Sequence, residues 1–243
     1  MCHTIACGLL MKKFPCSLQF IALAILPFLA TSQTAIDNTI AFYHQSIGSQ
    51  SGIYNGFQYY RYPGFINSGH PFYFADSLTK GSVYYDGVFY ENVSLLYDEV
   101  TDELLTTDFR GDNLVQLVKL KVDSFTINDF LFIKIVGSQS LFPGYYRQLY
   151  SGETSALAKE VKTIAKTTNS DFEVRRTVES RLSYYVKFNE KYYGVSGAKQ
   201  LLKLFGAKRR QVADHMKSKR INYRSNREDY IVEAVTFYDE QSL

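Results

Sequence analysis

Residues 81–108, GSVYYDGVFYENVSLLYDEVTDELLTTD, constrain the chain more than any other stretch. Val83 and Tyr85 alternate toward one face, and Asp86-Gly87 supplies a two-residue turn that accepts positive φ. Val93, Leu95 and Tyr97 repeat the two-residue period on the return strand. A second, acidic turn runs from Asp98 to Glu103, and Leu104 to Thr107 extend the meander. The stretch is rich in the aromatic and β-branched types that suit a pleated surface, so it predicts the seed of an antiparallel sheet.

The same pattern recurs along the chain. Residues 53–57 read as a tight turn, with Tyr59, Tyr60 and Tyr62 on a strand after it. Residues 64–80 read as loop with one short strand at Phe72 to Phe74. Residues 114–122 read as a strand, and 124–127 with 130–136 as a hairpin around Asn128-Asp129. Residues 145–150 and 154–166 pair across Ser151-Gly152, and 170–180 read as a loop or weak strand. The last hairpin joins 184–188 to 191–195 across Asn189-Glu190. This makes roughly ten short strands without interleaved helices, the pattern of an antiparallel sheet that curls or closes into a partial barrel or sandwich.

After residue 195 the period changes. Leu201, Leu202, Leu204 and Phe205, then Val212 and Met216, then Ile231, Val235 and Tyr238 fall on helical stripes. Three short helices over 198–205, 207–219 and 227–240 are predicted, and none would be stable without packing on its neighbours or the sheet. The fold class is therefore α+β: an antiparallel body over 33–195 and a basic helical segment over 196–243 packed on it.

Residues 1–32 read as an N-terminal extension and an export leader. Met11-Lys12-Lys13 is a short positive region, residues 14–29 are mostly apolar, and Ala30-Thr31-Ser32 offers small residues for cleavage before Gln33. The apolar run is shorter than the ~20 residues a spanning helix needs and is broken by Pro15, Gln19 and Pro27, so no transmembrane helix is expected after cleavage. Cys2, Cys7 and Cys16 all precede Gln33, so the exported chain would carry no disulfide, thiolate metal site or thiol nucleophile. Asp37 or Asn38 can cap a short helix carrying Ile40, Phe42 and Ile47, with His44 on its surface and Gly48 at its end.

Several segments carry a resemblance: Tyr54-Asn55-Gly56, Gly69-His70-Pro71, Gly81-Ser82-Val83-Tyr84-Tyr85-Asp86-Gly87-Val88, Leu95-Leu96-Tyr97-Asp98 and Gly144-Tyr145-Tyr146. With the tail Gly197-Ala198-Lys199-Gln200-Leu201-Leu202 and Ile221-Asn222-Tyr223-Arg224, the chain resembles uncharacterised secreted and envelope proteins of the Bacteroidetes type. The resemblance covers most of the expected mature chain. It implies a periplasmic, outer-membrane-associated or secreted location, and no activity.

No nucleophile elbow and no glycine-rich phosphate loop occur. Ser77 to Lys80 and Ser196 to Lys199 match Ser-x-x-Lys, without the companion motifs of penicillin-recognising enzymes. His70 stands beside Pro71 as a possible ligand or base, but no two histidines have metal-ligand spacing, and no metal or cofactor is implied. Asp98, Glu99, Asp102, Glu103 and Asp108 cluster in the meander. They read as solvated turn acids, or as a carboxylate pair of an envelope glycan hydrolase. The tail shows the strongest asymmetry. Lys199, Lys203, Lys208, Arg209, Arg210, Lys217, Lys219, Arg220, Arg224 and Arg227 face the single acid Asp214. Three readings stand: a solvated face, docking of the tail on the acidic meander, or an anionic partner held by Lys208, Arg209, Arg210, Lys217, Lys219, Arg220 and Arg224. That partner would be an envelope protein, a lipid headgroup or a glycan, with nucleic acid the least expected for an exported chain. The favoured function is a non-enzymatic binding or scaffolding module, with the glycan hydrolase as the alternative.

Overall fold

The computed structural model describes residues 52–137, 140–168, 170 and 173–241. The expected leader, the cleavage point before Gln33 and the short helix with His44 lie outside them. Eleven strands form one sheet: β1 (Phe57–Gln58), β2 (Thr79–Tyr85), β3 (Val88–Asp98), β4 (Glu103–Thr107), β5 (Leu114–Gln116), β6 (Val122–Ile127), β7 (Phe130–Ile135), β8 (Gly144–Ser151), β9 (Ser155–Thr168), β10 (Val174–Phe188) and β11 (Lys191–Gly194). Their order is β1-β5-β4-β3-β2-β6-β7-β8-β9-β10-β11, each pairing is antiparallel, and the sheet does not close. Three helices follow: α1 (Ala198–Leu204), α2 (Arg209–Ser218) and α3 (Arg227–Glu240). The α+β architecture with an antiparallel body and a short helical C-terminus is thus the one the sequence predicts. No described helix is long and apolar enough to cross a membrane.

The hairpin turns follow from backbone chemistry. Asp86 and Gly87 take φ of 54° and 79°, Asn128 and Asp129 take 50° and 64°, and Asn189 and Glu190 take 47° and 61°. Two consecutive positive φ values match the right-handed twist of the flanking strands, so each pair sets its hairpin register.

The sheet curls until the C-terminal end of β3 meets the middle of β9: Lys162 N donates to Glu99 O at 3.1 Å. The segment before β2 lies across the remaining gap, with Phe72 bridging to Asp98 and Ser68 to Thr177. Inside the curl, Val83, Tyr85, Leu95, Tyr97, Phe125, Phe132 and Tyr145 form a largely aromatic core. Phe125 and Phe132 stack with centroids 4.8 Å apart, while Tyr97 meets both edge-on.

A second core joins helices to sheet. Leu201, Phe205, Val212, Met216, Ile231 and Val235 pack on Ala156, Ala158, Tyr184 and Val186. The two alanines keep β9 low, so α3 can approach closely. Each large apolar side chain buried there contributes about 1.5–3 kcal/mol, which such short helices need. Asn226 caps α3 by accepting Asp229 N at 3.2 Å, and Glu228 and Asp229 suit the positive end of its dipole.

Four local expectations differ from the structure. Residues 114–122 are not one strand, because β5 lies beside β4 and β6 beside β2. The chain must cross between these places, and a 3-10 turn at Lys119–Lys121 makes the crossing. Residues 72–74 form a single bridge rather than a strand, and Phe74 takes φ 60°. Residues from Val174 onward, read as loop or weak strand, continue β10 because β9 offers a partner along its whole length. Tyr59, Tyr60 and Tyr62 also lie outside any strand.

Candidate functional site

The acids of the meander are drawn inward. Asp98 is fully buried and saturated with donors. Tyr59 OH and Tyr62 OH donate to its Oδ2 at 2.7 and 2.8 Å, and Val100 N and Thr101 N to its Oδ1 at 2.8 and 3.3 Å. Burial and the carboxylate together push both phenols far above their usual range. Asp102 takes Lys119 Nζ at 2.5 Å, Tyr97 OH at 2.6 Å and Lys159 Nζ, and accepts Tyr145 N at 3.3 Å. Glu99 is 3% exposed and forms an ion pair with Lys162 Nζ at 3.0 Å. Burial pushes its carboxyl up to about 7 against the pull of Lys162. Glu103 accepts from Thr101, and Asp108 accepts Asp112 N and Asn113 Nδ2 at 2.9 Å each, closing its own turn.

This corrects the reading of Asp98, Glu99 and Asp102 as solvated turn acids. The curl of the sheet brings lysines from the β5–β6 crossing and from β9 against the turn, where they neutralise it. Glu99 and Glu160 share one small pocket with Arg147 and Tyr73, but its volume is about 20 Å³. That is room for a single water, not for a sugar ring.

The tail cations take different places. Lys208 Nζ donates to Gln241 O at 2.7 Å and lies 5.1 Å over the Tyr238 ring. Lys219 reaches Glu233 at 3.3 Å, beside His215 at 2.7 Å from the same carboxylate. Arg210 and Lys217 flank Asp214 at 4.0 and 3.3 Å. Arg220 is exposed with φ 57°. The seven expected residues therefore do not converge: Arg209, Arg210 and Lys217 line one hollow at the α1–α2 corner, and Arg224 lines another. Among the described residues no tail cation pairs with a meander acid. Docking of the tail on the acidic meander is thus overturned, since Lys119, Lys159 and Lys162 already occupy those acids. The ion pair that does join sheet and helices has the opposite polarity, Arg147 on β8 to Glu228 on α3.

The larger hollow is a cleft of about 650 Å³ where α1 begins, α2 has ended and α3 begins. Its rim carries Lys199, Arg224 and Arg227, all exposed, and none of these side chains forms an ion pair with a described residue. Its floor is Ile221, Tyr223 and Tyr230. The two rings meet edge-on at 5.6 Å, and Tyr223 OH anchors to Val195 O at 3.1 Å. Asn222 Oδ1 accepts Arg224 N at 2.8 Å and holds the wall in shape. The arrangement provides a preshaped, positively charged basin with an apolar base and no buried general base. Lys199 and Arg227 lie outside the seven residues the sequence singles out. The signal that marks them is position, the first turn of α1 and the first residue of α3.

His70 Nδ1 is buried without a hydrogen-bond partner, and among the described residues no cluster of histidine, cysteine and acidic side chains could hold a metal ion. No protein-family model, no curated protein and no solved structure matches the chain.

Proposed function

We propose that the protein is a non-enzymatic binding module of the cell envelope, delivered by its export leader, that captures an anionic partner at the Lys199–Arg224–Arg227 cleft. One observation carries this reading: three cations that form no ion pair with a described residue ring a cleft of about 650 Å³. Of the acids on α2 and the first half of α3, Asp214 is engaged by Arg210 and Lys217, Glu228 by Arg147, and Glu233 by Lys219 and His215, while Asp229 is held by the Asn226 cap. Unneutralised positive charge held by a rigid wall repels itself, and an anion relieves that repulsion. The glycan hydrolase reading gains no support, because Asp98 and Asp102 are saturated and the pocket beside Glu99 holds about one water.

Elution from a heparin column tests the reading. The variant K199S/R224S/R227S should leave the column at clearly lower salt than a control of equal net charge, K166S/R175S/R181S. If the two elute together, retention reflects net charge alone and the cleft reading fails.

A further inference from the structure

The cleft is not the only cationic feature of the helical layer, and the inference below rests on the cleft reading. At the opposite end of α1, Arg209, Arg210 and Lys217 line a second hollow of about 440 Å³. Lys199 and Lys203 lie four residues apart on α1, both exposed, so they share one flank of that helix. Lys203, like Lys199, forms no ion pair with a described residue. With seven residues, α1 is about 10 Å long. The cations therefore form a track from the cleft, along α1, to the second hollow. Asp214 is the one acid on the second hollow, shared between Arg210 and Lys217.

The surroundings of the track narrow the partner. Among the described residues, the large exposed apolar side chains run from Phe57 to Tyr193, and none belongs to the helical segment. A helix that beds into lipid presents such side chains. Tyr223 and Tyr230 are 9% and 7% exposed, so their faces are not free platforms on which unpaired bases stack. What remains is an extended, hydrophilic chain with repeated negative charge. The geometry points to an acidic polysaccharide, bearing carboxylates or sulfates along its length, that lies on this track with one anionic unit in each hollow and another beside Lys203. Two hollows engaged by one chain raise its effective local concentration, so affinity depends on its length.

Heparin-derived oligosaccharides of two and of twelve sugars, titrated by calorimetry in fixed salt, test this on the intact chain. The longer probe should bind about tenfold or more tighter than the shorter one. Removing either the cleft cations (K199S/R224S/R227S) or the hollow cations (R209S/R210S/K217S) should reduce the longer probe to the affinity of the shorter. All six positions are exposed, and matched circular dichroism and melting curves verify folding. Equal affinity of the two probes for the wild type overturns the proposal. So does a hollow variant that binds normally, but if the cleft variant then loses binding, the cleft reading survives alone. If neither variant changes binding, both readings fall. Phosphatidylglycerol vesicles bound as tightly as the longer probe, and lost in both variants, would reassign the track to a membrane surface.

Discussion

Replacement of Asp102 by asparagine isolates what holds the turn between β3 and β4. Asp102 takes φ 58°, a left-handed conformation that asparagine adopts readily, so D102N keeps backbone and volume and removes only the charge. The side chain is 18% exposed and that of Lys159 13%. Burial already lowers the Lys159 ammonium, and Asp102 is what opposes that shift. Without the carboxylate, Lys159 keeps the Tyr145 carbonyl at 2.8 Å and only the more distant charge of Glu99, with no ion-pair partner, and Lys119, 39% exposed, turns to water. Breaking a buried pair costs about 3–5 kcal/mol, and the residual exposure places this one near 3 kcal/mol. With a urea slope of about 2–3 kcal/mol/M, the midpoint should fall by about 1–1.5 M. Urea titration at pH 7, followed by circular dichroism and tyrosine fluorescence, measures it. The double variant D102N/K159M should be more stable than D102N, because the stranded charge is gone. A loss below about 1 kcal/mol for D102N, or a double variant weaker than the single, would refute the argument that this carboxylate anchors the turn.

Two further outcomes follow from the packing of the sheet. The Glu99 carboxyl is raised from 4.5 to about 7, so the folded state holds a proton between those values that the unfolded chain releases. Its contribution is fully present below about pH 4.5 and lost as pH rises through 7, a fall of about 3 kcal/mol. Urea midpoints from pH 5 to 8 should therefore drop less steeply in E99Q than in the wild type, and parallel curves would show that Glu99 does not titrate there. A Cβ at Gly81 would run into the Thr126 carbonyl oxygen across the β2–β6 pairing. G81A should cost about 3 kcal/mol, the upper end for overpacking, and hydrogen exchange should quicken in β2 and β6 first, with a melting curve unchanged from wild type counting against the close approach.

Much of the fold was legible because its signals are local. Asp86-Gly87, Asn128-Asp129 and Asn189-Glu190 announce hairpins by residue type alone, and each takes two positive φ values. Val212 with Met216, and Ile231 with Val235, announce helices by spacing, and both pairs are buried against the sheet. Residues 114–122 misled because Val118, Leu120 and Val122 alternate with Lys119 and Lys121 as a strand would, yet Lys119–Lys121 form a 3-10 turn in which Leu120 is 87% exposed. Alternation in sequence does not show that a chain leaves one place in the sheet for another. Residues 170–180, read as loop or weak strand, misled in the other direction, since from Val174 onward they belong to a long strand. Arg176 lies opposite Lys166 and Ser180 opposite Lys162 in a ribbon wet on much of its surface, so the strand carries no apolar stripe and is held by its long partner.

The two charged regions show why a site is harder to read than a fold. Asp98, Glu99 and, in part, Asp102 looked exposed and are drawn inward, because partners that hold them there lie far away in the chain: Lys119 is 17 residues from Asp102 and Lys159 is 57. Only the curl of the sheet brings them together, and no local pattern encodes a curl. The tail cations looked like one patch and became two hollows joined by α1, because the chain reverses at Gly206 and again before α3. The helices reverse with their apolar faces on Ala156, Ala158 and Val186, which turns the charged flanks of α1 and α2 outward. The acids of α3 are handled differently: Glu228 is spent on Arg147 and Glu233 on His215 and Lys219. The sheet thus neutralises its own acids from within, and α3 neutralises part of the tail. Among the tail cations, Lys199, Lys203, Arg209, Arg220, Arg224 and Arg227 are exposed and form no ion pair with a described residue. Three of them, Lys199, Arg224 and Arg227, ring one cleft, and that is the physical reason to look there for a partner.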